Sequence, residues 1–113
     1  MFNAMNRGDS LEPTLENRES DARDLQAVSD VLQGNPDAFA QIVDRYQRTL
    51  LSLSYSYFGN SFDAEDAAQE AFVRIYRKLS SFDLTQKFFP WMYTVAVNYM
   101  KSRKVTQNRR GSI

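Results

Sequence analysis

The 113-residue chain contains no cysteine and no histidine. The first absence excludes a disulfide framework and a thiolate metal site, and it suits a cytoplasmic chain at least as well as a secreted one. The second removes both the commonest general base and the commonest metal ligand. Any catalyst built from this sequence would have to work with carboxylates, so neither an enzyme nor a metal or other cofactor is expected. Long hydrophobic runs are also missing. No stretch of about 18 apolar residues occurs, and the amino terminus, MFNAMNRGDS, lacks the basic start and apolar centre of a secretory signal. No membrane insertion is expected, and the chain is read as cytoplasmic.

Net charge is absent too, with 14 basic and 14 acidic side chains, but the balance hides a strong segregation. Residues 1–40 carry 3 basic and 8 acidic side chains, residues 41–70 carry 2 and 5, and residues 71–113 carry 9 and 1. A chain whose last third is this basic can present that part to a polyanion even though its global pI is near neutral. The bland alternative is a solvated basic tail.

Residues 1–20 mix Gly, Pro, Asn and charges without apolar periodicity and read as a flexible leader. From Asp21 onward the spacing is helical and no hairpin-bounded alternation follows, which predicts one all-α domain over 21–110, a compact bundle of about four helices. A first helix is expected from about Asp21 to Gln33, with Leu25, Val28 and Leu32 on one face and Gly34 ending it. Asn35-Pro36-Asp37 signals the next start. Phe39, Ile42, Val43, Tyr46, Leu50, Leu53 and Tyr57 then form one stripe that Gly59-Asn60 stops. A third helix is expected from Asp63, as cap, to about Leu79, with Ala64, Ala68, Phe72, Ile75 and Leu79 inward and Asp66, Gln69, Glu70, Arg74 and Arg77 outside that arc.

A loop over 80–87 leads to KFFPWMY, which places four aromatics in seven positions around Pro90. Pro90 is read as the start of a fourth helix. Its inward arc would hold Trp91, Met92, Val95, Ala96 and Tyr99. The opposite arc holds Tyr93, Thr94, Val97, Asn98, Lys101 and Lys104, with Arg103, Arg109 and Arg110 nearby. Lys and Arg neutralise phosphates, Asn and Thr bond base edges or phosphate oxygens, and Tyr stacks on an unpaired base. Periodicity alone leaves a solvated helix as an equal reading. On the third helix, Glu70 and Arg74 stand at i and i+4 in the favourable order, which could make them a mere surface pair, or the mixed-charge strip could be a docking face.

DAEDAAQEAFVRIYRKL, then a loop, then FFPWMYTVAVNYMKSRK, resembles region 2 of bacterial sigma factors of the sigma-70 family, specifically the extracytoplasmic-function (group 4) type. Asp63, Asp66, Gln69, Glu70, Ala71 and Phe72 fill the family's first pattern. Phe88, Trp91, Met92, Tyr93, Val95, Ala96 and Asn98 fill the second. Thr94, Ser102 and Pro90 depart from the family's usual residues.

The resemblance implies a transcription initiation module. Its third helix would dock on the β′ clamp helices of core RNA polymerase through Asp66, Gln69 and Glu70, with Arg74 and Arg77 beside them. The loop Asp83, Leu84, Thr85, Gln86 and Lys87 would capture an unstacked base of the non-template strand of the promoter −10 element. Phe89, Tyr93, Asn98, Lys101, Arg103 and Lys104 would form the DNA face, coupling recognition to melting. Within KFFPWMY, Phe88 and Trp91 are expected in the core and Phe89 and Tyr93 on the exposed side. An anti-sigma factor is a possible further partner. Members continue into region 4, which reads the −35 element. This chain ends at Ile113 before such a domain, and an excised fragment is expected rather than a naturally shortened protein. The competing readings are a helical protein–protein adaptor with an incidental basic tail, and a carboxylate enzyme using Asp63, Glu65, Asp66 and Glu70.

Overall fold

Four helices follow one another in the computed structural model, which describes residues 15–111: α1 over Leu15–Leu32, α2 over Phe39–Phe58, α3 over Ser61–Lys78 and α4 over Phe88–Gly111. Short 3-10 turns over Pro36–Ala38 and Leu79–Ser81 join α1 to α2 and close α3. No strand occurs among the described residues, so the expected all-α bundle is the one found. The sequence reads as a flexible leader over residues 1–20. Residues 15–20, LENRES, already form the start of α1, and the remainder of that assignment lies outside the described residues. Leu, Glu and Arg are strong helix formers whatever their periodicity, so a helix can begin where no apolar stripe announces it.

The joints are set by local chemistry. Gly34, at φ 107°, ends α1 in a double turn: its N–H donates to the Val31 carbonyl at 3.0 Å and the Asn35 N–H to the Asp30 carbonyl at 3.0 Å. A side chain at that φ would be strained, which is why glycine sits there. Gly59, at φ 77°, ends α2 with its N–H on the Tyr55 carbonyl at 2.9 Å. The cap of α3 is Asn60 and not Asp63. The Asn60 side-chain oxygen accepts the Asp63 N–H at 2.9 Å, and its amide donates back to the Asp63 carboxylate at 3.0 Å. Asp63 therefore acts from the third helical position, where an acid also favours the positive helix end. Helix α4 likewise begins at Phe88, two residues before Pro90. Proline is tolerated there because the first-turn N–H groups have no partner within the helix.

The core lies where α2, α3 and α4 meet. On α3 it is lined by Ala64, Ala67, Ala68 and Ala71, whose small side chains let neighbours approach, and by Phe72 and Ile75. On α4 the buried stripe is Phe88, Met92, Ala96 and Met100, one residue every four. The expected inward arc was rotated. Trp91, Val95 and Tyr99 flank the stripe half-buried, and Met100 is central instead, its sulfur receiving the Ser54 hydroxyl of α2 at 3.7 Å. Full burial of a side chain such as Phe88 contributes about 1.5–3 kcal/mol. The Phe82 ring from the loop closes this end, 5.4 Å from Phe88 and 5.1 Å from Trp91.

Helix α1 is fastened by a buried charge that periodicity did not reveal. Its inward face is Asp24, Ala27 and Val28, while Leu32, expected inward, is exposed. Asp24 accepts hydrogen bonds from the Arg45 guanidinium and the Tyr46 hydroxyl of α2. Burial raises the Asp24 carboxyl above its ordinary value, with Tyr46 and Arg45 pulling it back. Burial, and then the Asp24 carboxylate, push the Tyr46 phenol well above its own. Such a carboxylate is tolerable inside only because both partners are present.

Candidate nucleic-acid interface and docking face

Helices α3 and α4 leave between them an open groove of about 530 Å³, lined by Arg74, Lys78, Val95, Asn98, Tyr99, Ser102, Arg103, Thr106, Gln107 and Arg110. Four of these are cations, four more are amide or hydroxyl side chains besides Tyr99, and none is acidic. Arg74 and Arg103 are ion-paired with Glu70 and Asp66 of α3, so the charge that suits a phosphodiester backbone comes chiefly from Lys78 and Arg110.

At the other end of α4 the loop forms a second hollow, lined by Ser81, Phe82, Asp83, Thr85, Gln86, Lys87, Pro90 and Trp91. Asp83 organises it. One carboxylate oxygen accepts the Thr85 N–H at 2.9 Å and the Thr85 hydroxyl at 2.7 Å, while the Gln86 N–H reaches the Asp83 carbonyl at 3.0 Å. These Thr85 bonds, the backbone one first, hold the Asp83 carboxyl below its usual range. Gln86 and Lys87 are exposed at the rim, and Trp91 offers an aromatic wall. Leu84 is exposed outside this lining.

The residues of the outer arc of α4 face two different hollows. Tyr93 turns toward α2, where it shares a shallow hollow with Arg48, Thr49, Ser52, Leu53 and Ser56, whereas Asn98 lines the groove beside α3. The two positions lie about 140° apart on α4, too far for one flat surface. Phe89 is not simply on the exposed side. Half-buried, it packs against Tyr46, ring centroids 5.4 Å apart, and against Tyr93 at 5.5 Å. Trp91, expected in the core, is half-buried between loop and helix. Lys101 is exposed, while Lys104 leans over the Phe58 ring at 5.8 Å.

The outer side of α3 carries Phe62, Asp66, Gln69, Val73 and Tyr76, spaced four, three, four and three residues apart, all exposed. Phe62 is 81% exposed, an unusual position for a large aromatic. Gln69 and Glu65 rim an apolar hollow of about 240 Å³ between α2 and α3, floored by Val43, Leu51 and Phe72. Asp66 pairs with Arg103 at 2.9 Å and Glu70 with Arg74 at 3.5 Å, so the i, i+4 pair foreseen in the sequence does form. Arg77 is exposed on the same helix.

Lys78, Thr106, Gln107 and Phe62 carry no site reading in the sequence, and Arg110 and Ser102 are named there only beside the DNA face and as a departure from the family. Lys78 follows Arg74 by four, and Ser102 and Thr106 follow Asn98 at the same interval, so each helix carried half of the signal. A wheel drawn for one helix cannot reveal a groove made by two.

The family model for sigma-70 region 2 matches residues 42–110, which take in α3, the loop and nearly all of α2 and α4. The chain belongs to the sigma-70 region 2 family. It is similar to the ECF RNA polymerase sigma factor SigW of Bacillus subtilis, 46% identical over 71 residues, covering 63% of this chain and 38% of that protein. It is also similar to the ECF RNA polymerase sigma-E factor of Escherichia coli K12, 40% identical over 87 residues, covering 77% of this chain and 45% of that one. The chain thus spans less than half the length of these curated relatives. Among solved structures, the NMR complex of an engineered region 2 of sigmaE with GTAAAA matches with a TM-score of 0.71 at 44% identity, over 77% of this chain and 90% of that one. No helix among the described residues is long and apolar enough to cross a membrane.

Proposed function

We propose that this sigma-70 region 2 chain is the module of an extracytoplasmic-function sigma factor that binds core RNA polymerase and holds the single-stranded promoter −10 element. The observation that carries the reading is the groove that presents the cations Lys78 and Arg110, next to a preformed loop hollow, on the fold that in a relative holds GTAAAA. The groove serves as the phosphate track. The hollow, braced by Asp83 and walled by Trp91, receives one unstacked base, with Gln86 and Lys87 at its rim. Opening a duplex costs a few kcal/mol per unstacked base, which a pocket and a cationic track together offset. Recognition and melting are then one event. No covalent bond changes, and the work is done in the cytoplasm, where promoter and polymerase are.

The polymerase side is α3. Its four-three spacing of Phe62, Asp66, Gln69, Val73 and Tyr76 is the interval at which one helix meets another, which suits the helical β′ clamp as partner. An anti-sigma factor silencing this protein would act by covering either face. The test is core-polymerase pull-down with Glu70→Lys together with exchange of residues 83–87 for a relative's loop. The expected results are loss of pull-down with helicity intact, and a changed base preference. Unchanged pull-down and unchanged preference would leave only a helical adaptor.

A further inference from the structure

Tyr99 sits between the two faces. Its hydroxyl accepts a hydrogen bond from Arg103 Nη1 at 2.8 Å, and its ring carries the Arg74 guanidinium 4.6 Å from its centroid. Each of these arginines in turn holds one of the α3 acids, Arg103 Nη2 on Asp66 Oδ2 at 2.9 Å and Arg74 Nε on Glu70 Oε2 at 3.5 Å. A single α4 side chain thus touches the arginine partner of both carboxylates read as polymerase contacts. Arg103 is further confined by the Phe58 ring, 5.4 Å from its guanidinium carbon.

We propose that Tyr99 is a positioning residue for polymerase docking. It orders Arg74 and Arg103, and through them fixes the direction of Asp66 and Glu70 before the partner arrives. An exposed ion pair is ordinarily weak because two long side chains must be ordered to make it. An arginine already held by a ring or a hydroxyl has given up that freedom beforehand, so the carboxylate it holds is preorganised. Arg103, whose two terminal nitrogens are both engaged, belongs to this network rather than to the phosphate track. The inference rests on the assignment of Asp66 and Glu70 to polymerase.

The experiment is a double-mutant cycle on the full chain, reading affinity for purified Escherichia coli core RNA polymerase. Tyr99→Phe keeps the ring under Arg74 and removes only the hydroxyl that holds Arg103. It is expected to weaken binding about threefold in the wild-type background and to have no effect in the Asp66→Ala background. A structural role would not produce that difference. The same loss in both backgrounds, or no loss in either, overturns the inference while leaving the docking assignment standing. If Asp66→Ala alone leaves affinity unchanged, or the wild type does not bind, the docking assignment fails and the inference with it.

Discussion

Neutralising the groove should be read most clearly in its salt dependence. Lys78 and Arg110 both line it, one on α3 and one on α4, and both side chains are exposed, so replacing them with glutamine removes charge without emptying the core. Each cation that neutralises a phosphate of single-stranded DNA contributes about −0.7 to the slope of log K against log salt. The double variant Lys78→Gln/Arg110→Gln should therefore lose about 1.4 units of slope, equivalent to about 25-fold in affinity at roughly 0.1 M salt relative to 1 M. Fluorescence anisotropy of a labelled single-stranded GTAAAA oligonucleotide across a salt series measures it. The circular dichroism of the variant should match the wild type. An unchanged slope would mean that the phosphates do not run through this groove and would refute the reasoning.

Phe62→Ala should weaken core-polymerase binding about tenfold with little change in thermal stability, since an exposed aromatic contributes at an interface and not to the core; surface plasmon resonance with a melting curve checks both. Arg45→Met should destabilise the fold by about 3 kcal/mol in urea at neutral pH, because Asp24, 0% exposed, then keeps a buried charge without its counter-ion. Burial already raises the Asp24 carboxyl, so the deficit should shrink as pH falls through that raised value, where the acid becomes neutral; a deficit constant with pH contradicts the account. The Asp83 carboxyl is shifted the other way, so the loop brace should persist below the ordinary aspartate value of about 3.9 and be lost only as pH falls through the depressed one. The NMR shift of the Thr85 amide reports it, and titration at or above the ordinary value would contradict the brace.

Much of the fold was legible because apolar spacing at three and four residues carries the buried stripes of α2 and α3, and Gly34 and Gly59 mark turns that need positive φ. What escaped shares one physical cause: the information lay between elements. Asp24 is a core residue only because Arg45 and Tyr46 reach it from α2, and a carboxylate among apolar spacings otherwise reads as surface. The groove needs Lys78 from one helix and Ser102 from another. The hydrogen bonds of Arg103 to Tyr99 and Asp66 are likewise invisible on a single helix. The loop residues Asp83, Thr85, Gln86 and Lys87 line one hollow together. There the signal was a family pattern rather than periodicity.

The central claim is that this chain holds a single-stranded −10 element by sequence as well as by charge. The most direct measurement is the affinity of the wild-type chain for a panel of single-stranded hexanucleotides of one base composition in different orders, at about 50 and 300 mM salt. The account predicts that affinity depends on the order of the bases at both concentrations, with all affinities falling as salt rises. Equal affinity for every order, or no dependence on salt, would contradict it.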